Sequence, residues 1–262
     1  MTETFLLHES RLFAPVRLGQ SAGYAHLDTG ARHSSILQSY SARFETIGSR
    51  EMHTAFGSAS VPQVRLDEVL FLGKAFPAVP ADVMPDQAGG FAALPFKVML
   101  ALGSDVLLRD RLYLDFPRRK LRFVDVHPAQ VAVQARLAAD FRLGPPRFQM
   151  ALGGQALQAV FDTGAALSVF NQRSLDRFRA EIVEDQPVEA EDPTGAKLTI
   201  PTFKCGELTI GDYAFAELQF LAIDMSRIEQ EAGLHVDFVL GVNGMLAKRW
   251  MLDPQGAAIE MM

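Results

Sequence analysis

A single cysteine, Cys205, stands in a chain of 262 residues. No disulfide can form within it, and no cysteine metal site can be assembled. Cys205 lies in TFKCGELTIG, which reads as an ordinary strand running into a turn, the place of a packed bystander rather than a nucleophile. Long apolar runs are also missing. None approaches the ~18 residues that mark a membrane-spanning helix. The opening stretch MTETFLLHESRLFAPVRLG has neither the basic start nor the apolar core of an export signal. The expectation is a cytoplasmic protein as written, or a periplasmic or secreted one if a leader precedes it. Basic clusters are scarce: 25 Lys and Arg stand against 31 Asp and Glu, a net charge of −6. Arg118-Arg119-Lys120 with Arg122 is the nearest approach to one, and it reads as a solvated turn. Phosphate backbones need clustered cations, so nucleic acid is not an expected partner. HExxH, P-loop and Gly-X-Ser-X-Gly patterns do not occur, and the ten methionines are scattered. No metal and no cofactor are expected.

What the chain does have is enough apolar material for a sizeable core, 48% of its residues, and a sequence written twice. VRLGQSAGYAHLDTGA, from Val16, aligns without a gap on MALGGQALQAVFDTGA, from Met150. Asp28-Thr29-Gly30-Ala31 falls on Asp162-Thr163-Gly164-Ala165. Further along, at an offset four residues larger, Gly57 falls on Gly195 and Gly73 on Gly211, and LALGSDVLLRDRLYLDF (100–116) falls on FVLGVNGMLAKRWMLDP (238–254). Each copy consists of short alternating runs separated by Gly, Pro, Asp or Asn. RLFAPVRLG, GYAHLD, EVLFLG, LYLDF and KLRFV read as strands in the first copy, and RFQMALG, LQAVFD, KLTIPTF, ELTIG, AELQFLAI and WMLDP in the second. Helical signals are short: SDVLLRD, VNGMLAKR and NQRSLDRFRA. AQVAVQARLAADFRLGPP reads as a linker helix ended by Gly-Pro-Pro. The expected organisation is an N-terminal lobe over 1–125, a linker over 126–146 and a C-terminal lobe over 147–262.

An Asp-Thr-Gly at the end of a strand is by itself ordinary turn chemistry. Two copies in related halves have a further consequence. Related halves pack about a pseudo-two-fold axis, and equivalent loops near that axis meet. Asp28 and Asp162 would then face each other. Two carboxylates that close cannot both ionise cheaply, so they share a proton. The charged one can take a proton from water while the protonated one donates to a carbonyl oxygen, which is general acid–base hydrolysis without a metal.

At these residues the chain resembles the aspartic proteases of the pepsin and retropepsin type. Val160-Phe161-Asp162-Thr163-Gly164-Ala165 and Leu27-Asp28-Thr29-Gly30-Ala31 carry the first element of that signature. Ala101-Leu102-Gly103 and Val239-Leu240-Gly241, followed by Asp105 and Asn243, carry the second. The resemblance runs from about residue 11 to 258. It implies an all-β, bilobal fold of two retropepsin-like barrel lobes with a few short helices, and a cleft between them that takes an extended peptide or protein substrate. It further implies Asp28 and Asp162 as catalytic groups. Thr29 and Thr163 would interlock beneath them, with Gly30 and Gly164 presenting amides to the carboxylates. Hairpins near Phe56 and Gly57, and near Thr194 and Gly195, would close over the substrate as flaps.

The chain departs from the pepsin pattern in places. Ala31 and Ala165 stand where pepsins usually carry Ser or Thr, which brings the lobes nearer to retropepsin halves fused in one chain. Phe56 stands where pepsin flaps carry Tyr. His26 points to the same strand face as Asp28 and has Val160 as its counterpart. Both are candidates for a pocket wall beside the dyad, and a hydrogen-bonded structural histidine is the alternative for His26. Asp115 and Asp253 match each other but read as turn residues, and Asp105 and Asn243 as residues that cap or orient the short helices. The function expected is an aspartic endopeptidase working as a monomer with both aspartates in one chain. The alternative is a catalytically silent peptide-binding protein of the same shape.

Overall fold

The structure, a computed structural model, describes residues 1–54, 57–125, 132–191, 197–215, 217–233 and 235–262. It is mostly β, built as two sheets with short helices between strands. Alternation sets each strand's faces. In Arg11–Leu18, Ala14, Val16 and Leu18 are buried while Pro15 and Arg17 are exposed. In Gln155–Phe161, Leu157, Ala159 and Phe161 point inward.

The first sheet runs in the order 6–8, 11–18, 21–27, 98–102, 34–37, 74–84, 57–71, 45–54. It closes on itself because Gly57–Phe71 also pairs with Arg11–Leu18, Leu18 lying opposite Val69. The second half repeats this path: 147–152, 155–161, 238–240, 168–171, 218–223, 197–205, 182–191. The strand corresponding to Gly57–Phe71 is broken here into Lys197–Cys205 and Leu208–Ile210. Glu207, between the pieces, has a φ of 45°. The second piece makes the equivalent closure, Leu208 opposite Leu152.

Six further strands join the halves, in the order 3–4, 120–123, 112–115, 249–253, 258–261, 135–140. At its centre Leu112–Asp115 runs antiparallel to Arg249–Asp253, with Leu112 opposite Leu252, Leu114 opposite Trp250 and Tyr113 opposite Met251. Tyr113 and Met251 are equivalent in the internal repeat, so the local two-fold axis passes between them. Trp250 is fully buried, packs edge-on against Phe161 at 5.1 Å and donates its indole N–H to the Met245 carbonyl. That contact links the joining sheet to the strand that carries Asp162.

The stretch read as a linker helix is different in the structure. Residues 126–131 lie outside the described residues, and Ala135–Asp140 is a strand paired with Ala258–Met261 and Arg147–Leu152. Its small apolar residues alternate: Ala135 and Ala139 are buried, and Arg136 and Ala138 are exposed. A free sheet edge outweighs the helix propensity of alanine here. The segment NQRSLDRFRA is helical as expected, but in the tighter 3₁₀ form over Gln172–Glu181. Among the described residues no helix is long and apolar enough to cross a membrane.

Candidate functional site

Asp28 and Asp162 follow directly on the strands Ser21–Leu27 and Gln155–Phe161. Each strand pairs in parallel with the strand leading to the second motif, Val98–Leu102 or Phe238–Leu240. The pairing continues one residue further: the Asp28 amide donates to the Leu102 carbonyl at 2.9 Å, and the Asp162 amide to the Leu240 carbonyl at 3.0 Å. Both aspartates thus leave their sheets at the same height, one from each half.

The threonines beside them are buried and reciprocally bonded. The Thr29 amide donates to Thr163 Oγ1 at 3.1 Å, and the Thr163 amide to Thr29 Oγ1 at 3.0 Å. Each hydroxyl then donates across the interface, Thr29 to the Phe161 carbonyl at 2.9 Å and Thr163 to the Leu27 carbonyl at 2.8 Å. Four hydrogen bonds therefore cross between the halves directly under the carboxyls. The glycines that follow face the opposite aspartate. A Cβ on Gly30 would collide with the Asp162 carboxyl, and one on Gly164 with that of Asp28. Only glycine lets the two loops approach this closely.

Asp28 Oδ1 accepts the Ala31 amide at 2.8 Å, and Asp162 Oδ1 accepts the Gly164 amide at 2.7 Å. The two carboxyls are also hydrogen-bonded to each other. Burial, then the neighbouring Asp162 charge, raises Asp28 well above the ordinary carboxylate range. Burial raises Asp162 as well, but amides and the Asp28 hydrogen bond offset part of the rise. The two carboxyls therefore act as one coupled pair that retains a proton above the ordinary carboxylate range. Such a pair holds an acid and a base side by side, the arrangement needed to activate water against a polarised carbonyl.

Behind each aspartate sits a second symmetric pair that the sequence reading missed. Ser34 Oγ donates to Asp105 Oδ1 at 2.7 Å and accepts the Gly103 amide at 3.1 Å. Ser168 Oγ donates to Asn243 Oδ1 at 2.8 Å and accepts the Gly241 amide at 3.0 Å. The signal was available, since Ser34 and Ser168 align in the repeat. Of the two roles expected for Asp105 and Asn243, capping is not what they do: they sit inside Ser104–Leu107 and Val242–Met245 and tie these helices to the serines, which fits orienting them. Gly103 and Gly241 pack so tightly that a Cβ would lie 2.6 Å from the His33 carbonyl carbon and 2.7 Å from that of Leu167.

The remaining expected residues divide. Asp115 and Asp253 are turn residues, accepting the Arg118 and Gly256 amides at 3.0 and 2.8 Å. His26 is buried between Phe13 and Phe91, each 5.3 Å from its ring. Burial, with the Arg11 charge nearby, pushes it down to about 3, so it is a neutral imidazole at any ordinary pH. Val160 packs with Met225, Val236 and Val239. Burial pushes the Cys205 thiol up to about 12, with Glu217 adding to the rise, as a packed bystander requires. Gly57 opens its strand opposite Thr54. Phe56, Thr194 and Gly195 lie outside the described residues. Among the described residues, no group of three or more His, Cys, Asp and Glu is disposed to hold a metal ion.

Two predictions follow from this geometry. Thr29→Ala leaves the buried Thr163 amide without its acceptor and the Phe161 carbonyl without its donor, so chemical denaturation should show a loss of about 2 kcal/mol or more. Thr29→Ser, which keeps the hydroxyl, should lose about half as much or less. The second concerns pH. A carboxyl whose pKa is raised on folding contributes its full stability below the unfolded value, about 4, and loses it as pH rises through the folded value. Asp28→Asn cannot ionise. Melts across pH 3.5–8 should therefore show the variant gaining on the native protein by up to about 1.4 kcal/mol per pH unit above pH ~4, with the difference vanishing below it.

Comparison with known proteins bears on the second half. No curated protein matches the chain. Residues 148–243 match the family described as aspartyl protease, a stretch holding Asp162-Thr163-Gly164, Ser168 and Leu240-Gly241. Within the second half, this stretch is similar to the aspartyl protease family.

Proposed function

We propose that the protein is an aspartic endopeptidase whose single active site is assembled from both halves, residues 1–125 and 147–262 serving as retropepsin-like lobes. The observation that supports the reading is the buried, coupled Asp28–Asp162 pair, set symmetrically on interlocked loops. In the reaction, the ionised aspartate of the pair takes a proton from a water held between the carboxyls, and the water oxygen attacks the scissile carbonyl carbon. Its protonated partner gives its proton to the carbonyl oxygen, forming a neutral gem-diol. Proton return through the pair to the amide nitrogen lets the C–N bond break.

The substrate on this reading is an extended peptide laid along the cleft as an added strand. The long hairpin Glu45–Thr54/Gly57–Phe71 is the covering element on the first lobe. The apolar surroundings of Val160, and the Phe13 and Phe91 walls around His26, favour apolar side chains near the scissile bond. Both aspartates in one chain make a monomer sufficient.

The test is turnover. The native protein, Asp28→Asn and Asp162→Asn are each incubated with a denatured protein mixture from pH 3 to 8, and new amino termini are counted. Loss of the acid or base should lower the rate by roughly 10²–10⁴-fold in either variant. Cleavage that survives in both variants, or no cleavage by the native protein at any pH, contradicts the proposal.

A further inference from the structure

A second cluster of titratable groups lies at the other end of the strand that supports Asp162. His235 sits between two carboxylates: Nδ1 is 2.6 Å from Glu229 Oε1, and Nε2 is 2.8 Å from Asp237 Oδ1. Glu229 belongs to the helix Ser226–Ala232. Asp237 is buried just ahead of Phe238–Leu240 and is tied to the strand that carries Asp162. Its amide donates to the Gln158 carbonyl at 2.9 Å, and its Oδ2 accepts the Gln158 amide at 2.9 Å. The helix packs against the first-lobe strand Glu45–Thr54, one arm of the hairpin proposed to cover the cleft. One imidazole therefore joins the catalytic strand of one half to the helix that touches the covering hairpin of the other.

Both contacts are hydrogen bonds only if both ring nitrogens carry protons. A neutral imidazole has one donor and one lone pair, and the lone pair would face a carboxylate oxygen. Histidine gains and loses its second proton between roughly pH 5 and 8. Other charged and polar groups surround the three. Arg177 lies 3.0 Å from Asp237 Oδ2, and Ser174 donates to Asp237 Oδ1 at 2.7 Å. Arg173 lies 3.9 Å from Glu229, and Glu229 Oε1 accepts the Val236 amide at 2.9 Å. Asp224, at the head of the helix, accepts the Ser226 amide at 2.9 Å and has Arg173 and Arg227 nearby. On the facing strand, Glu45 pairs with Arg65 and Arg50 with Asp82, and its other titratable residues are Glu51 and His53. Loss of one ring proton from His235 would remove one of its two bonds.

We propose that His235 is a positioning residue, an imidazolium latch that holds the helix Ser226–Ala232 against the covering hairpin at mildly acid pH and releases it as pH rises. Its consequence for peptide cleavage rests on the peptidase reading given above; the latch itself does not. Loss of one ring proton leaves Glu229 with only the Val236 amide and the more distant Arg173, while Asp237 stays fixed by Ser174, Arg177 and the Gln158 amide. The looser partner is therefore the helix and the hairpin arm it touches, not the aspartate strand.

Hydrogen exchange on the whole protein tests this without requiring activity. Protection of 226–232 and 45–54 is measured from pH 5 to 8.5 after correction for intrinsic exchange, in the native protein, His235→Gln and His235→Lys. The native protein should lose protection in both segments, about tenfold, across the histidine range. His235→Lys, permanently charged, should stay protected at every pH, and His235→Gln should be weakly protected at every pH. Equal, pH-independent protection in all three proteins overturns the latch. So does a change confined to 226–232, which would deny the link to the hairpin. Peptide cleavage is followed in parallel. The exchange pattern without cleavage would reject the peptidase reading and leave the latch standing, whereas cleavage without the exchange pattern would do the reverse.

Discussion

Four hydrogen bonds between two threonines and their opposite strands hold the two halves in register. Thr29 and Thr163 each satisfy the other's amide and a carbonyl on the other side, and both are buried where water cannot substitute. Any slip between the halves leaves several buried polar groups unpaired, each costing about 1–3 kcal/mol. The joining sheet repeats the constraint at a distance, with Tyr113 opposite Met251 on the same local axis. Between these two anchors the positions of Asp28 and Asp162 follow with little freedom. They are the residues before the threonines, on loops that only glycine allows to approach so closely.

The electrostatics follow from that placement. Neither carboxyl chooses its neighbour; the threonine lock forces them together. Burial and mutual charge then make the doubly ionised state expensive, and one proton stays. Burial is the largest influence on both. Backbone amides reach both carboxyls, from Ala31 and Gly30 to Asp28 and from Gly164, Ala165 and Gly30 to Asp162, and offset part of the rise. A symmetric scaffold thus carries a coupled acid–base pair.

Much of this was legible in the chain because the repeat made weak motifs strong. One Asp-Thr-Gly is a common turn, but two at matching strand ends, each followed by a matching Leu-Gly, fix which loops meet. Strands such as Arg11–Leu18 and Gln155–Phe161 showed in their alternation. Ala135–Asp140 did not, because an alanine-rich stretch has the composition of a helix and only the waiting sheet edge makes it a strand. The Ser34 and Ser168 pair is hidden for a different reason: serine is so common in turns that its alignment across the repeat carries little weight. The Glu229–His235–Asp237 bridge has no counterpart in the first half, so the repeat gave no pointer to it. It depends on a helix and a strand start brought together only by the fold.

The titration of the two aspartate carboxyls, followed by carbon NMR in the native protein and in each single Asp→Asn variant, reaches the heart of this account. A coupled pair should lose its second proton well above the ordinary carboxylate range, and replacing either aspartate should move the titration of the other. Two carboxyls that titrate independently, each unmoved by substitution of its partner, would contradict the claim that the halves build one site.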